Sequence, residues 1–585
     1  MKRRLKISLS ESLNFFRNRA LLLAGTAQPV FASKQDFTFQ GTKPAMNVGQ
    51  ITILCIFIGL LSMTLVTYFA GLSIDVTRDA GKYATIAKEA FQNNNYINLT
   101  VHGEPYDQKP PLLFWLGAAG FAIGGVSNFW FKLPVLLVVV LGLYSAYRLG
   151  KSLYNKRVGQ MTLFLLAFSM IYTLYTMDVH TDTPLQAFVT FAFWQFAEFV
   201  RTKKNKHWIL GFLGTGLAML CKGPIGAAIP AFAVVGHLLF TKNFKSFLDY
   251  RWYVGIVISF IVASPALIGL MNQFGWDGIR FFFWENNIGR ITGSYVRAKN
   301  DPVFYVHSLL YLFLPWSLMF FISAFFEFRK LIRNRFRTCE YFTVSGIWIF
   351  FIILNASASQ LPNYIFSVIP LMAVLTAKWT DRALHKKRKL FRIFNSVQVT
   401  IVCLLWITIS VLSLYFFPYP NWSFWLVSLL GGLAICFIFF RSDNPAAKLF
   451  LPSAISFICL AFLLNTSIFP YMFSFQAPPK AARYFSSHAE PGNTLYNYNY
   501  PQYELFFYSE PQAVQLSSAE EMKGAAGKEG NWIFTDAEGF RQISDLGLKA
   551  DTVLAYRHLY LNRGSQFINP ATRDEVLKPM YLIKY

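Results

Sequence analysis

Charged residues are scarce in this sequence. Only 14% of its 585 residues are Asp, Glu, Lys or Arg, whereas a soluble globular chain has about 25%. Hydrophobic residues make up 54%, and Phe alone occurs 61 times. This composition excludes a disordered chain, a disulfide-rich secreted module and an ordinary cytosolic enzyme, and it predicts a polytopic membrane protein.

Cysteine and metal-binding patterns are also lacking. The six cysteines include no pair at CxxC spacing, and the segment after residue 475 has none, which excludes a disulfide there. His102, His180 and His307 are scattered, without the carboxylate spacing of a metal-binding set. We therefore predict no cofactor and no metal site, while a divalent ion held by Asp79 or Asp182 stays open.

Acidic residues are few as well, with 30 Asp and Glu against 54 Lys and Arg, a net charge of +24. Such an excess can indicate nucleic-acid binding. In a membrane protein, however, Lys and Arg collect in the cytoplasmic loops. We therefore predict membrane lipids, and no nucleic acid, as partners.

Thirteen apolar runs could each form a membrane-spanning helix, which needs about 20 residues. They lie near 51–71, 129–150, 158–176, 182–200, 208–221, 224–240, 252–271, 303–326, 341–356, 362–377, 394–416, 422–440 and 447–470. A fourteenth segment, 111–126, is short and Gly-rich. If it lies in the interface or re-enters, 33 Lys and Arg fall in the predicted cytoplasmic segments and 9 in the external loops. This asymmetry favours thirteen spans, with the N-terminus inside and the C-terminus outside.

The chain divides into three predicted regions. Residues 1–46 are a basic cytoplasmic extension or the product of a mis-assigned start, with Met46 as the true start. Residues 47–474 form the transmembrane domain, with a long external loop at 72–128. In 475–585 the charge rises, and NTLYNYN, NWIFTDA and TVLAYRHLYL have the pattern of short strands. We predict a small soluble α/β domain outside the membrane.

The external loops carry a notable set of polar residues. Ala residues and Tyr83 at helical spacing predict an amphipathic helix over 78–92, lying along the membrane, with Asp75 and Asp79 at its start. These two acids suit a helix N-terminus or a functional site equally well.

The later external turns add residues that each have an ordinary structural explanation. Asp182 suits a cap, Lys222 a snorkelling lysine, and the aromatic stretch around Glu285 and Arg290 an interfacial belt. Together they place carboxylates and cations at one membrane face. That pattern predicts a site for a lipid-linked phosphate, with cations binding the phosphate and apolar walls holding the isoprenoid chain.

Several of these segments, in order, resemble a known family. They are DAGKYATIAKEAFQNNNY, QKPPLLFW, TDTPLQAF, CKGPIGAAIP, FFFWENNIGRITG and SQLPNYIFSVIPLMA, spread between about residues 50 and 470. The sequence is similar to the GT-C glycosyltransferases of the protein O-mannosyltransferase and lipid A aminoarabinose transferase group. The resemblance implies an all-α polytopic GT-C fold with external juxtamembrane helices and a small C-terminal α/β domain.

The resemblance also implies an activity, the transfer of a sugar from a polyprenyl phosphate to a lipid, glycan or protein acceptor. By it, Asp79 and Asp182 are the catalytic acids. The residues expected to bind the donor phosphate or the acceptor are Lys82, Tyr83, Lys109, Lys222, Glu285, Arg290 and Tyr364. The layout further implies a bacterial inner membrane, with the active site and C-terminus in the periplasm.

The sequence departs from the family pattern at four positions. Ala80 follows Asp79 where a second acid is common, and Thr183 splits the aspartate–proline pair. The family's loop histidine is replaced by Asn286 or Asn287, depending on alignment, and the lysine of its SKLP segment by a glutamine. The WWD signature of oligosaccharyltransferases is absent, which argues against that branch.

The residues suggest a mechanism of single displacement with inversion at the anomeric carbon. Other functions stay open, namely a transporter or flippase of lipid-linked sugars, a non-catalytic scaffold, and a polymerase or ligase using diphosphate-linked glycans. A transporter predicts internal repeats with broken helices at the midplane, and no matching halves are present. The sugar and the acceptor are not encoded in any motif.

Overall fold

The computed structural model describes residues 48–294, 301–336, 340–418 and 420–585. The predicted extension 1–46 lies outside the described residues. Most of the described chain is helical, as its apolar runs predict. The helices are α1 (Val48–Ser73), α2 (Arg78–Gln92), α3 (Leu112–Gly124), α4 (Asn128–Leu153), α5 (Lys156–Ala167), α6 (Met170–Met177), α7 (Asp182–Thr202), α8 (Asn205–Lys222), α9 (Ile225–Phe240), α10 (Tyr250–Arg280), α11 (Gly289–Thr292), α12 (Phe304–Leu312), α13 (Ser317–Arg333), α14 (Phe342–Ala356), α15 (Ile369–Lys386), α16 (Arg388–Val411), α17 (Trp422–Arg441), α18 (Pro445–Leu463), α19 (Phe469–Phe473), α20 (Ala477–His488), α21 (Glu504–Tyr508), α22 (Ala519–Ala526), α23 (Ala537–Ser544) and α24 (Gly564–Ile568).

Shorter elements complete the fold. Single-turn 3₁₀ segments cover Phe244–Leu248, Pro362–Val368 and Leu561–Arg563, and π-helical turns cover Phe281–Ile288, Leu412–Phe416 and Leu464–Ile468. The strands are β1 (Thr100–Val101), β2 (Glu104–Pro105), β3 (Thr494–Asn497), β4 (Val514–Gln515), β5 (Asn531–Asp536), β6 (Thr552–His558) and β7 (Lys578–Lys584).

The thirteen predicted spans all coincide with helices, but they differ in length. Among the described residues, six helices are long and apolar enough to cross a membrane, or seven if the bent pair α5 and α6 is one span. The others are shorter or interrupted. The chain is an integral membrane protein, and its all-α polytopic fold is confirmed. The count of thirteen spans stays a prediction.

The chain segments before and after α3 lie at the same end of the neighbouring helices. On its C-terminal side, Asn128 Nδ2 donates to Asp75 Oδ1 at 2.8 Å, and Lys132 Nζ donates to the Ile74 carbonyl at 2.6 Å. On its N-terminal side, Lys109 lies within electrostatic reach of Lys82 in α2. The contacts agree with the choice of a segment that does not cross.

The segments predicted to be cytoplasmic also contact one another. Lys378 Nζ lies 2.7 Å from a Glu327 carboxylate oxygen and 3.8 Å from Glu340. Tyr154 donates a hydrogen bond to Glu340. These residues come from three segments that the loop charges place on one side of the membrane. The side that each loop faces stays a prediction.

The chain separates into two compact units. One consists of the described parts of Met1–Phe69 and Thr380–Ser467. Inside it, polar groups pair between helices: Asn465 Nδ2 donates to the Thr67 carbonyl at 2.9 Å, and Ser453 Oγ donates to Gln398 Oε1 at 2.6 Å. The other unit, Ala70–Trp379 with Ile468–Tyr585, contains every candidate site residue.

A five-stranded sheet in the order β4-β3-β5-β7-β6 forms the C-terminal domain. Strand β3 pairs in parallel with β4 and β5, while β7 pairs antiparallel with β5 and β6. Three strands coincide with the segments predicted from the sequence, and the small α/β domain is confirmed. Strands β4 and β7 were not anticipated by the sequence pattern.

Helix α2 has the predicted bounds, and the C-terminal domain forms part of its surroundings. From Ala80 to Ala90 every residue except Lys82 is buried, including the charged Lys88 and Glu89. One side packs on α3 and another on α21 of the C-terminal domain. A domain some 400 residues further along the chain thus covers the polar side of α2. That α2 also lies along the membrane stays a prediction.

The α2–α21 contact satisfies the end of each helix with a side chain from the other. Glu504 Oε1 of α21 accepts the Arg78 backbone N–H at 2.5 Å, where Thr77 supplies no cap. In return Lys88 Nζ donates to the carbonyls of Phe506, Phe507 and Ser509 at 3.2, 3.2 and 2.6 Å. Orphan groups at helix ends need such partners when buried, so the two elements depend on each other.

Replacing Lys88 with Met should loosen this contact. Three buried carbonyls would lose their donor, at a cost of about 1–3 kcal/mol in opening free energy. Hydrogen exchange of the full chain in detergent should show faster exchange in α2 and α21. The matched control is Lys480→Met at an exposed position of α20. Equal exchange in both variants would contradict the reciprocal-capping account.

Candidate active site

An ion pair joins the start of α7 to the end of α8. Asp182, 2% exposed, has its two carboxylate oxygens 2.6 and 2.7 Å from Lys222 Nζ. Asn363 Nδ2 donates to the same carboxylate at 2.7 Å. Gly223 ends α8 at φ +71°, and a Cβ there would lie 2.6 Å from the Phe282 ring. The turn after Lys222 therefore requires glycine.

Tyr364 completes this pair from a third element. Lys222 Nζ lies 4.0 Å from the centre of the Tyr364 ring, a cation–π geometry. The ring is held by the 3₁₀ turn that also supplies Asn363. Three segments that the sequence placed at one membrane face thus converge on Lys222.

Lys109 is a cation without a partner. Its Nζ makes no hydrogen bond or ion pair with any residue in the described ranges. Burial, followed by the charges of Lys222 and Arg290, lowers the pKa of Lys109 to about 7, against the opposing effect of Asp182. Clustered cations with one shared carboxylate are an arrangement that favours a bound anion.

Asn286 connects Arg290 to the first external loop. Its Oδ1 accepts from Arg290 Nε at 3.0 Å, and its Nδ2 donates to the Gln108 carbonyl at 2.7 Å, next to Lys109. The sequence comparison registered Asn286 only as a possible replacement of the family's histidine. The structure identifies it as a link that orients the guanidinium toward the Lys109 segment.

Asp79 stands in the first turn of α2, with a half-exposed carboxylate 3.9 Å from Lys82 Nζ. Burial lowers the pKa of Lys82, with Asp79 opposing and Arg290 reinforcing the shift. Tyr83 is buried, and burial raises its pKa, as do Asp79 and Asp182. Both predicted acids therefore act electrostatically on one tyrosine.

Glu285 is the predicted site residue that the structure does not bring into the cluster. It is exposed on the π-helical turn and makes no ion pair or hydrogen bond with the described part of the chain. The turn aims Asn286 inward instead, since neighbouring positions on a helix point in different directions. Every other predicted site residue contacts another predicted site residue or affects it electrostatically.

A cavity with a space of about 290 Å³, its solvent-open part included, adjoins Lys109. Its walls are mostly apolar and come from the first loop and α10, for example Ile97, Leu99, Pro110 and Leu270. Tyr106 also lines it, with a buried hydroxyl that has no hydrogen-bond partner in the described structure. No motif in the sequence singled out Tyr106.

His180 is a second residue that the sequence left unassigned. Its Nε2 lies 3.0 Å from Asp178 Oδ2, and its ring meets Tyr83 edge-on at 6.2 Å. Burial opposes protonation, but Asp178, Asp79 and Asp182 together raise the pKa of His180. Within the described ranges, no three His, Cys, Asp or Glu residues are grouped as metal ligands. That the protein has no metal site stays a prediction, with a divalent ion at Asp79 or Asp182 still open.

Comparison with known proteins identifies the class. Residues 108–268 match the family model described as dolichyl-phosphate-mannose-protein mannosyltransferase. The crystal structure of ArnT from Cupriavidus metallidurans bound to undecaprenyl phosphate superimposes with a TM-score of 0.69, over 90% of this chain and 97% of that one, at 16% identity. The GT-C resemblance is confirmed, and the protein is a glycosyltransferase.

Two sequence relatives extend the comparison. A protein of Aquifex aeolicus (strain VF5), named only as uncharacterized, is 25% identical over 478 residues, covering 80% of this chain and 89% of its own. Undecaprenyl phosphate-alpha-4-amino-4-deoxy-L-arabinose arabinosyl transferase 2 of Proteus mirabilis (strain HI4320) is 24% identical over 368 residues, 60% of this chain. The match spans 65% of the Proteus protein's length.

Asp182→Asn should destabilise the protein by leaving Lys222 without its anion. Breaking a buried ion pair from one side typically costs about 3–5 kcal/mol. The loss of stability here should lie near the lower end of this range because Lys222 is 12% exposed. Adding Lys222→Met should recover part of the loss, measured as the melting temperature in detergent. A double variant no more stable than the single one would contradict this ion-pair account.

Proposed function

We propose that this protein transfers a glycosyl group from a polyprenyl-monophosphate sugar, of the undecaprenyl type, to a lipid A, glycan or protein acceptor. The observation that carries the proposal is the grouping of Lys222, Arg290 and Asp182 around Lys109, which lines an apolar cavity. An isoprenoid phosphate needs both features, since cations bind its phosphate and apolar walls bind its chain.

The relatives support the same donor. The Cupriavidus ArnT structure contains undecaprenyl phosphate, and the Proteus relative is named for an undecaprenyl-phosphate-linked aminoarabinose. The shared fold and the cation cluster of this chain make a donor of this class the simplest choice. These names specify no acceptor, and lipid A, glycan and protein acceptors all remain within the proposal.

The reaction is a single displacement. An acceptor oxygen forms a bond to the anomeric carbon as the bond from that carbon to the phosphate oxygen breaks. The electron pair of the broken bond stays on the polyprenyl phosphate, which is the leaving group, and the configuration at the anomeric carbon inverts. Lys109, Lys222 and Arg290 stabilise the charge that grows on the phosphate, an effect that can be the largest in catalysis.

Asp79 is the proposed base for a hydroxyl acceptor. Its half-exposed carboxylate is open to an incoming acceptor, unlike that of Asp182, which is 2% exposed and paired with Lys222. Asp182 therefore holds Lys222 in place beside the phosphate. If the acceptor is itself a phosphate, no base is needed and Asp79 orients it.

The site faces the non-cytosolic side in this proposal. The loops that carry it have few Lys and Arg, whereas the segments at the opposite helix ends have many. By the same rule the C-terminal domain is external. The bacterial inner membrane with a periplasmic active site fits this orientation.

A donor comparison tests the proposal. Purified protein should transfer labelled sugar from a polyprenyl-monophosphate donor and not from a diphosphate donor, with inverted product configuration by NMR. Mass spectrometry of lipid A and surface glycans from a deletion strain identifies the acceptor. Transfer from the diphosphate donor alone would favour a polymerase or ligase, and vectorial movement without transfer would favour a transporter.

Asp79→Asn should lower transfer about 10²–10⁴-fold, the usual contribution of a positioned base, while expression and melting temperature stay unchanged. The measurement is the rate of transfer to a hydroxyl acceptor. Asp277→Asn, at an exposed acid late in α10, is the matched control and should keep full activity. Full activity in Asp79→Asn would remove that residue from the mechanism.

Donor use should depend on pH through Lys109. With a pKa of about 7, its amine is protonated below that pH and loses its charge above it. The value of kcat/KM for the donor, which reports the free enzyme, should fall as pH rises through this range. In Lys109→Arg the guanidinium stays charged, so that fall should be absent. A profile that is unchanged by the substitution would assign the titration to another group.

A further inference from the structure

A second cavity lies within the unit that holds the site. Its space, with the solvent-open part included, is about 390 Å³. Its walls come from the C-terminal domain and from Arg78 at the first position of α2. Arg78 is the direct neighbour of Asp79, so the cavity reaches the start of the helix that carries the proposed base.

His558 provides a buried donor in this cavity. Its side chain is 2% exposed, and its Nδ1 accepts the Ala477 backbone N–H at 3.2 Å. Burial lowers the pKa of His558 to about 4, so the ring is neutral at physiological pH and its proton resides on Nε2. The Nε2–H has no hydrogen-bond partner among the described residues. His558 lines the cavity, so this N–H is free to donate to a ligand acceptor there.

Aromatic rings form part of the wall beside that donor. Tyr500 and Tyr560 each meet the His558 ring edge-on, at 5.6 and 4.6 Å. The Tyr500 hydroxyl donates to Glu504 Oε2 at 3.2 Å. The amide side chains of Gln502 and Asn562 also line the cavity. Amides donate and accept alike, which suits hydroxyl groups, since each hydroxyl also does both.

The charge of this cavity distinguishes it from the phosphate site. Lys109, Lys222 and Arg290 outnumber their nearby carboxylate, whereas the second cavity sets Arg78 against Glu504. A balanced pair with neutral donors and acceptors favours an uncharged polar ligand over a phosphate. Among substrates of a glycosyltransferase, the uncharged polar group of this kind is a sugar ring.

We infer that this cavity is an acceptor subsite that binds a hydroxyl-rich sugar ring next to Asp79. The inference rests on the proposed function and extends it, because it assigns the acceptor a carbohydrate component and places its recognition in the C-terminal domain. Glu504 then serves two ends: it accepts from the Arg78 N–H at the start of α2, and it lines the wall of the subsite.

The test uses the full chain in detergent and two soluble probes, a glucosamine disaccharide and its bisphosphate. Saturation-transfer NMR should show binding of the phosphate-free disaccharide. Gln502→Ala with Asn562→Ala should weaken that binding at least fivefold, since both amides line the cavity. Gln542→Ala, on α23 and outside the cavity lining, is the matched control and should bind like the parent.

A second measurement separates this inference from the proposed function. Undecaprenyl phosphate should raise the melting temperature of the parent and of the double amide variant, but not of Lys109→Ala, which should still bind the disaccharide. Disaccharide binding that is absent, or unchanged in the double variant, would overturn the subsite and leave the donor site standing. Preference for the bisphosphate that disappears in Arg78→Gln would also overturn it, by showing an anion site. Failure of undecaprenyl phosphate to stabilise the parent would overturn the proposed function, and the acceptor role with it.

Discussion

The mutual capping of α2 and α21 is the interaction on which the site depends. Asp79, Lys82 and Tyr83 all stand on α2, a helix of 15 residues, close to the length at which an isolated helix is only marginally stable in water. Glu504 supplies the acceptor at its first turn, and Lys88 ties its later part to the C-terminal domain. Further contacts reinforce the joint, including Arg483 paired with Asp75 at 2.5 Å. The C-terminal domain thus supports the helix that carries these three candidate site residues.

The two carboxylates of the site have different surroundings. Asp182 is buried and its charge compensates that of Lys222. Asp79 is half-exposed and only distantly paired, so it can interact with an incoming group. Lys109 is left without a counter-ion. These acids and cations cannot be told apart in the sequence. In the structure they differ in burial and in ion pairing.

Much of this site could be predicted from the sequence because its residues follow membrane topology. Lys109, Asp182 and Lys222 fall in turns that the loop charges assign to one face, and helices of fixed length bring those turns together. The bounds of α2 followed from its Ala and Tyr83 spacing. These are local patterns, which a single sequence records directly.

The remainder depends on contacts between distant parts of the chain. Nothing near Glu504 indicates that it meets Arg78 some 426 positions earlier, and the sequence assigned the two to separate domains. Glu285 and Asn286 are neighbours, and only the geometry of the π-helical turn decides which of them faces Arg290. Tyr106 carries no motif and is distinguished solely by its buried hydroxyl. Side-chain direction in irregular segments is set by packing, which periodicity does not encode.

The unpaired amine of Lys109 bears on how a spent carrier leaves. In the proposed reaction the donor arrives as a phosphodiester with one negative charge, while the departing phosphate monoester holds close to two at neutral pH. Three cations hold the product more firmly than the substrate, so a permanently charged cluster would favour its own inhibition. Because the pKa of Lys109 is lowered to about 7, part of the binding free energy is used to keep this amine protonated, and the product is held less firmly than by three permanent charges. Turnover would then depend on a balance between binding the donor lipid and releasing the polyprenyl phosphate.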